Sequence, residues 1–114
     1  MIPGQPGERR RSPRYLCSHI VAVSFGQREQ TEEALLEDLC AEGAGLALET
    51  PILAGDEVEV AVGNLWVGAR VLYCSPRQNG FRLGLEFAGE WRWRPESWRP
   101  DHLFLPSPSP PGQT

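Results

Sequence analysis

Glu57-Val58-Glu59-Val60-Ala61-Val62-Gly63-Asn64, running into Leu65-Trp66-Val67-Gly68-Ala69-Arg70-Val71-Leu72-Tyr73-Cys74, decides the fold class. The first six residues alternate polar and apolar, the period of a strand with one wet face and one face in a core. Gly63-Asn64 turns the chain into a second strand of similar reach. Ser75-Pro76-Arg77-Gln78-Asn79-Gly80 then reads as a hairpin loop, with Asn79-Gly80 supplying the positive φ angles of a tight turn. Phe81-Arg82-Leu83-Gly84-Leu85-Glu86-Phe87 is the returning strand.

Upstream, Ile20-Val21-Ala22-Val23-Ser24-Phe25 is a short β-branched run closed by Gly26, and Leu46-Ala47-Leu48-Glu49 is another strand, ended by Thr50-Pro51. Gln30 to Leu39 is ambiguous. Its residues favour helix, yet Ala34 to Leu39 reads equally as strand. Gly43-Ala44-Gly45 is expected to break that segment. Strands spaced by roughly ten residues, with turn signals between them, predict an all-β fold: a small six-stranded antiparallel barrel. Gly68 and Gly84 inside strands supply the bends that closing a small barrel requires.

The ends differ from the middle. Residues 1–8 and 106–114 are rich in Gly, Pro and Ser and are expected to be flexible tails around a domain at 9–105. Glu90 to Pro100 carries three of the four tryptophans, alternating in part with arginine. Such a Trp-rich segment either plugs one end of the barrel or offers a stacking platform; the plug is favoured, because these rings are the chain's largest reserve of buried area.

All eleven basic residues are arginines, against fifteen Asp and Glu, for a net charge of −4. Ten carboxylates and no cation fall between Glu29 and Glu59. That balance argues against a nucleic-acid polymer as partner, which calls for a broad basic face. It leaves one anomaly: Arg9-Arg10-Arg11-Ser12-Pro13-Arg14, just ahead of the first apolar run. An arginine cluster on an acidic chain fits a small anionic ligand better than a long polyanion, because each guanidinium forks onto phosphate oxygens or a guanine edge. Pro13 argues against a helix there and for an extended loop.

Other classes are disfavoured. Cys17, Cys40 and Cys74 have neither disulfide nor zinc spacing. His19 and His102 neighbour no nucleophile, no phosphate-binding glycine loop is present, and an enzyme is not expected. No apolar stretch approaches the length of a membrane span and no signal-peptide core is seen, so a cytoplasmic location without membrane insertion is expected.

Arg10-x-x-x-Arg14, followed 24 positions later by Asp38-Leu39-Cys40-Ala41-Glu42-Gly43, resembles the PilZ domain, the bacterial receptor module for cyclic di-GMP. That family carries R-x-x-x-R on an N-terminal loop and D/N-x-S-x-x-G on the barrel. Gly68-Ala69-Arg70-Val71-Leu72-Tyr73-Cys74 and Phe81 to Phe87 also look like its later strands, so the resemblance spans roughly Arg9 to Phe87. It implies that the arginines, Arg9, Arg10 and Arg14 among them, grip phosphates and guanine edges. Asp38 would read the Watson–Crick edge of a guanine, and the backbone at Gly43 would approach the ligand. Arg9, directly before the first motif arginine, fits a site holding two stacked ligand molecules. Cys40 departs from the pattern, standing where the family has serine. A thiol hydrogen-bonds more weakly, at a cost of roughly 0.5–1.5 kcal/mol against roughly 1.5–3 kcal/mol for each charge-assisted arginine bond. The resemblance therefore implies a single-domain cyclic di-GMP receptor and adaptor, needing no cofactor, whose loop orders on binding and signals to an unidentified protein partner. The alternative is a degenerate PilZ-like interaction module that binds no nucleotide.

Overall fold

Six antiparallel strands close into a barrel in the order β1-β2-β3-β6-β5-β4. They are β1 (Tyr15–Phe25), β2 (Gln30–Leu39), β3 (Gly43–Leu48), β4 (Glu57–Val62), β5 (Leu65–Arg77) and β6 (Gly80–Phe87). The computed structural model describes residues 12–27 and 29–104. The tails at 1–8 and 106–114, and the outermost residues of the 9–105 domain, lie outside the described residues.

The alternation seen at Glu57–Val62 holds around the barrel. Val58, Val60 and Val62 face inward from β4, and Leu83, Leu85 and Phe87 do so from β6, all nearly free of solvent contact. Each such side chain contributes about 1.5–3 kcal/mol through burial, and together they supply the barrel's main driving force. The ambiguous Gln30–Leu39 segment is strand throughout, paired with β1 from Phe25↔Gln30 to Tyr15↔Leu39. Tertiary pairing overrides its helical propensity, because only as a strand do Ala34 and Leu36 both reach the core.

Three strands carry an extra residue: on β1 the pairing to β2 jumps from Leu16↔Asp38 to His19↔Leu36, and the other two lie on β2 and β5. On β2 the pairing to β3 jumps from Leu36↔Leu46 to Asp38↔Gly45, leaving Glu37 unmatched. On β5 the pairing to β6 jumps from Val71↔Leu85 to Tyr73↔Gly84, leaving Leu72 unmatched. A bulge of this kind shifts the side-chain parity of everything beyond it. Before the β2 bulge, even-numbered Ala34 and Leu36 point inward; after it, Leu39 does. Glu37 and Asp38 therefore both project from the outer face.

Gly43-Ala44-Gly45, expected as a break, is instead the start of β3. The outward positions of β3 are Gly43, Gly45 and Ala47, so this strand presents an almost bare surface beside the two carboxylates. At Gly43 the reason is close packing: a Cβ there would lie 2.0 Å from the Leu85 carbonyl oxygen of β6.

The barrel's seam is narrow. β1 pairs with β4 only through Val23↔Val60 and Ser24↔Glu59. The segment after β6 covers the rest of that edge, with Phe104 N–H donating to the Leu16 carbonyl at 2.8 Å and Ser18 N–H to the Asp101 carbonyl at 3.3 Å. His19 is structural, its Nδ1 accepting the Asp101 N–H at 3.0 Å. Trp93 is 1% exposed, packs edge-on against Tyr15 and donates from Nε1 to the Trp98 carbonyl. Trp91 and Trp98 are half-buried against the same core. The segment is a plug centred on Trp93, while Trp91 and Trp98 also border an open surface groove with Arg92 and Arg94.

Candidate functional site

The β2 bulge places Glu37 and Asp38 side by side on the outer face, where two adjacent carboxylates repel unless cations intervene. Three arginines do so. Arg14, just ahead of β1, donates from Nη1 to Asp38 Oδ1 at 2.8 Å. Arg82, outward on β6, donates from Nη2 to Asp38 Oδ2 at 2.6 Å and from Nη1 to Glu37 Oε1. Arg77, at the end of β5, lies 2.9 Å from both oxygens of Glu37. The result is an alternating row, Arg14–Asp38–Arg82–Glu37–Arg77, drawn from β2, β5, β6 and the N-terminal approach to β1.

Asp38 is the most enclosed member, with 7% of its side chain exposed against 35% for Arg14. Burial alone would lower the pKa of Arg82, but hydrogen bonds to Asp38 and to the Tyr73 side chain, with their charge attraction, outweigh it and raise the pKa. Arg82 is thereby fixed as a cation.

The N-terminal approach is tied to the β2–β3 turn twice. Besides the Arg14–Asp38 pair, Ser12 Oγ donates to Glu42 Oε2 at 2.7 Å. That bond is the main reason the Glu42 carboxyl sits below its usual pKa, with a smaller contribution from the Cys40 thiol. Arg14 retains an unused donor: its Nε–H is buried and has no acceptor among the described residues. A buried guanidinium N–H without an acceptor is costly, so this position is suited to an oxygen or nitrogen brought by a ligand.

Of the residues singled out in the sequence, Arg14, Asp38, Cys40 and Gly43 lie at one end of the β2–β3 hairpin. Arg9 and Arg10 lie outside the described residues. Cys40 is 5% exposed; its N–H donates to the Gly43 carbonyl and its thiol contacts Glu42 Oε1 at 3.5 Å. Burial pushes that thiol's pKa up. Arg82, Glu37 and Arg77 were not singled out by the motifs. An arginine on an alternating strand looks like any solvated charge, and only the closed β3–β6 pairing shows that Arg82 reaches Asp38.

An open groove of about 820 Å³ adjoins this row, bounded by Glu37 and Arg77 and lined also by Glu32, Glu33, Glu49 and Phe81. Its carboxylates make it unfavourable for an anion. Among the described residues there is no cluster of His, Cys, Asp and Glu able to hold a metal ion, and no helix long and apolar enough to cross a membrane.

The structure is thus a small closed antiparallel barrel with an arginine-bearing approach strapped to a carboxylate on its outer face. A family model for the PilZ domain matches residues 8–90. The chain belongs to the PilZ domain family. Its fold is similar to YcgR from Escherichia coli in complex with c-di-GMP, with a TM-score of 0.56 and 24% identity over 71% of this chain and 38% of that one. It is also similar to the PilZ domain of YcgR from Escherichia coli with c-di-GMP, with a TM-score of 0.53 and 24% identity over 71% of this chain and 79% of that one. The chain thus spans well under half of the first of these. No curated protein sequence matches it.

Proposed function

We propose that this barrel is a cyclic di-GMP receptor that works by binding, not catalysis, and passes its signal to a partner protein through ordering of the arginine-bearing N-terminal loop. The observation that carries this reading is the Arg14–Asp38 contact, which joins the two motifs across 24 residues while leaving the buried Arg14 Nε–H without an acceptor among the described residues. Arg14 offers a charged donor to a phosphate or to guanine O6 and N7, with Arg9 and Arg10 completing the grip. Asp38 offers acceptors to guanine N1–H and N2–H, beside the bare surface of Gly43 and Gly45. Membership of the PilZ family supports the ligand class, as do the c-di-GMP complexes of YcgR.

The competing reading is an interaction module that has lost the nucleotide, and Cys40 favours it, since its buried thiol is turned to Glu42 in place of a serine hydroxyl. Titration calorimetry separates the two. Wild-type protein is expected to bind cyclic di-GMP, and Arg14→Gln to weaken binding about tenfold to a hundredfold, the worth of one charge-assisted contact. Absence of binding by the wild type, or an Arg14→Gln protein that binds equally well, would overturn the receptor reading.

A further inference from the structure

Asp38 faces a conflict if Arg14 serves the ligand. It is nearly buried, and a buried carboxylate that loses its cation carries a large desolvation penalty. Any ligand that draws the Arg14 guanidinium toward itself would strip Asp38 of one of its two cations at the moment when the carboxylate must hold its charge and orientation.

We propose that Arg82 is the positioning residue that resolves this conflict, holding Asp38 against the outer face of the barrel so that Arg14 is free to turn to the nucleotide. The inference rests on the cyclic di-GMP reading and adds a residue outside both motifs. Three features support it. Arg82 forks across two consecutive carboxylates, Asp38 at 2.6 Å through Nη2 and Glu37 through Nη1, so its plane cannot rotate without breaking both bonds. Arg77 holds Glu37 from the far side through both of its oxygens, which anchors the fork. Gly45 makes room for the pair: a Cβ there would stand 2.3 Å from Arg82 Nη2 and 2.6 Å from Asp38 Oδ2.

Lone-pair accounting agrees. An ionised carboxylate has about four acceptor positions, two on each oxygen. Arg14 and Arg82 take one on each. With Arg82 fixed on Oδ2, and counting only donors among the described residues, departure of Arg14 leaves both positions on Oδ1 and one on Oδ2, enough for guanine N1–H and N2–H together. Arg82 never has to touch the ligand. It acts through Asp38, and the double substitution tests that dependence.

The experiment is calorimetric titration of cyclic di-GMP, with cyclic di-AMP as a probe lacking the guanine edge, into folded wild-type protein and its variants. Arg82→Gln is expected to weaken cyclic di-GMP about tenfold or more while leaving cyclic di-AMP unchanged. In an Asp38→Asn background, Arg82→Gln should cost less than about twofold, since the carboxylate through which it acts is gone. Arg82→Lys, which keeps charge and stem but offers no fork, should fall between wild type and Arg82→Gln, and it stands in for the glutamine variant should that one fail to fold. Wild-type affinity in Arg82→Gln or Arg82→Lys would overturn the proposal, as would a full loss persisting in the Asp38→Asn background, which would mark a structural role. A wild-type protein that does not bind cyclic di-GMP would defeat the receptor reading and this one with it; a binding wild type with an indifferent Arg82 would defeat this one alone.

Discussion

Two glycines two positions apart, Gly43 and Gly45, should lose very different amounts of stability to the same substitution. At Gly43, an alanine Cβ would meet the Leu85 carbonyl oxygen at 2.0 Å, with the Leu85 carbonyl carbon at 3.1 Å and Glu86 Cα at 3.4 Å. All of these are backbone atoms of β6, and no side chain can swing aside to make room. The strands must part by more than an ångström, weakening the Gly43↔Glu86 pairing and the neighbouring Phe87 N–H to Glu42 carbonyl bond at 2.8 Å. Overpacking of about 1–3 kcal/mol plus one or two backbone hydrogen bonds at about 1 kcal/mol each gives a loss of about 2–5 kcal/mol for Gly43→Ala. For a domain of this size that is a fall of about 10–25 °C in Tm. At Gly45 the Cβ would meet Arg82 Nη2 and Asp38 Oδ2, both ends of side chains that can shift while Arg14 still neutralises Asp38, so the fold should lose only about 1 kcal/mol as the Asp38–Arg82 pair is displaced. Urea unfolding followed by circular dichroism measures both. If Gly43→Ala costs under about 1 kcal/mol, or Gly45→Ala costs as much as Gly43→Ala, the geometric reasoning is wrong.

The remaining expectations are more local. Arg14→Gln should weaken cyclic di-GMP binding, and Arg82→Gln should do so only while Asp38 is present, both read by the titrations above. The Cys17 thiol is pushed up to about 11 from its ordinary 9.0, chiefly by burial and then by Asp38 and Glu37. An unfolded chain gives up that proton first, so the contribution of Cys17 to stability is intact below pH 9.0 and is lost as pH rises toward about 11; urea midpoints across that window should fall, and should fall less in Cys17→Ala. Under native conditions a thiol reagent should reach the half-buried Cys74 first, with Cys17 and Cys40 reacting only on unfolding. Trp93→Ala removes the centre of the plug and should cost about 3–5 kcal/mol in urea unfolding.

Strands β1, β4, β5 and β6 were legible because each alternates or is β-branched. Ser75-Pro76-Arg77, expected as loop, instead continues β5 and pairs with Arg82, Phe81 and Gly80, so the turn shrinks to Gln78-Asn79; Ser, Pro and Arg beside a turn carry no strand pattern of their own. Residues 30–39 were not, because Glu, Ala and Leu suit a helix locally and only pairing with β1 selects the strand. Gly43 and Gly45 read as a break because glycine signals a turn and a crowded sheet surface alike; the Leu85 carbonyl and the Arg82–Asp38 pair that demand them are distant in sequence. In the site, Arg14 and Asp38 were visible as spaced motif residues. The bulge at Glu37 was not, since an unmatched residue exists only relative to the partner strand. Without it Asp38 would follow Leu36 into the core, and no motif spacing records the difference.

On the proposed function, one of the cations that make the free barrel tolerable, Arg14, is also the one a ligand would use. Glu37 and Asp38 on one face need neutralising, and Arg14, Arg82 and Arg77 interleave with them so that five charges leave a net of one positive. On the proposed function, cyclic di-GMP gains only the difference between Arg14 on Asp38 and Arg14 on a phosphate or guanine, since the first pair must loosen for the second to form. That exchange favours a ligand that repays both sides, giving oxygens to the arginines and N–H donors to Asp38. A bare phosphate repays only one, and a nucleic-acid strand meets the repulsion of a chain with net charge −4. Selectivity for a compact guanine dianion then follows from the site's own ion pairs, with Arg82 deciding whether Asp38 can let Arg14 go.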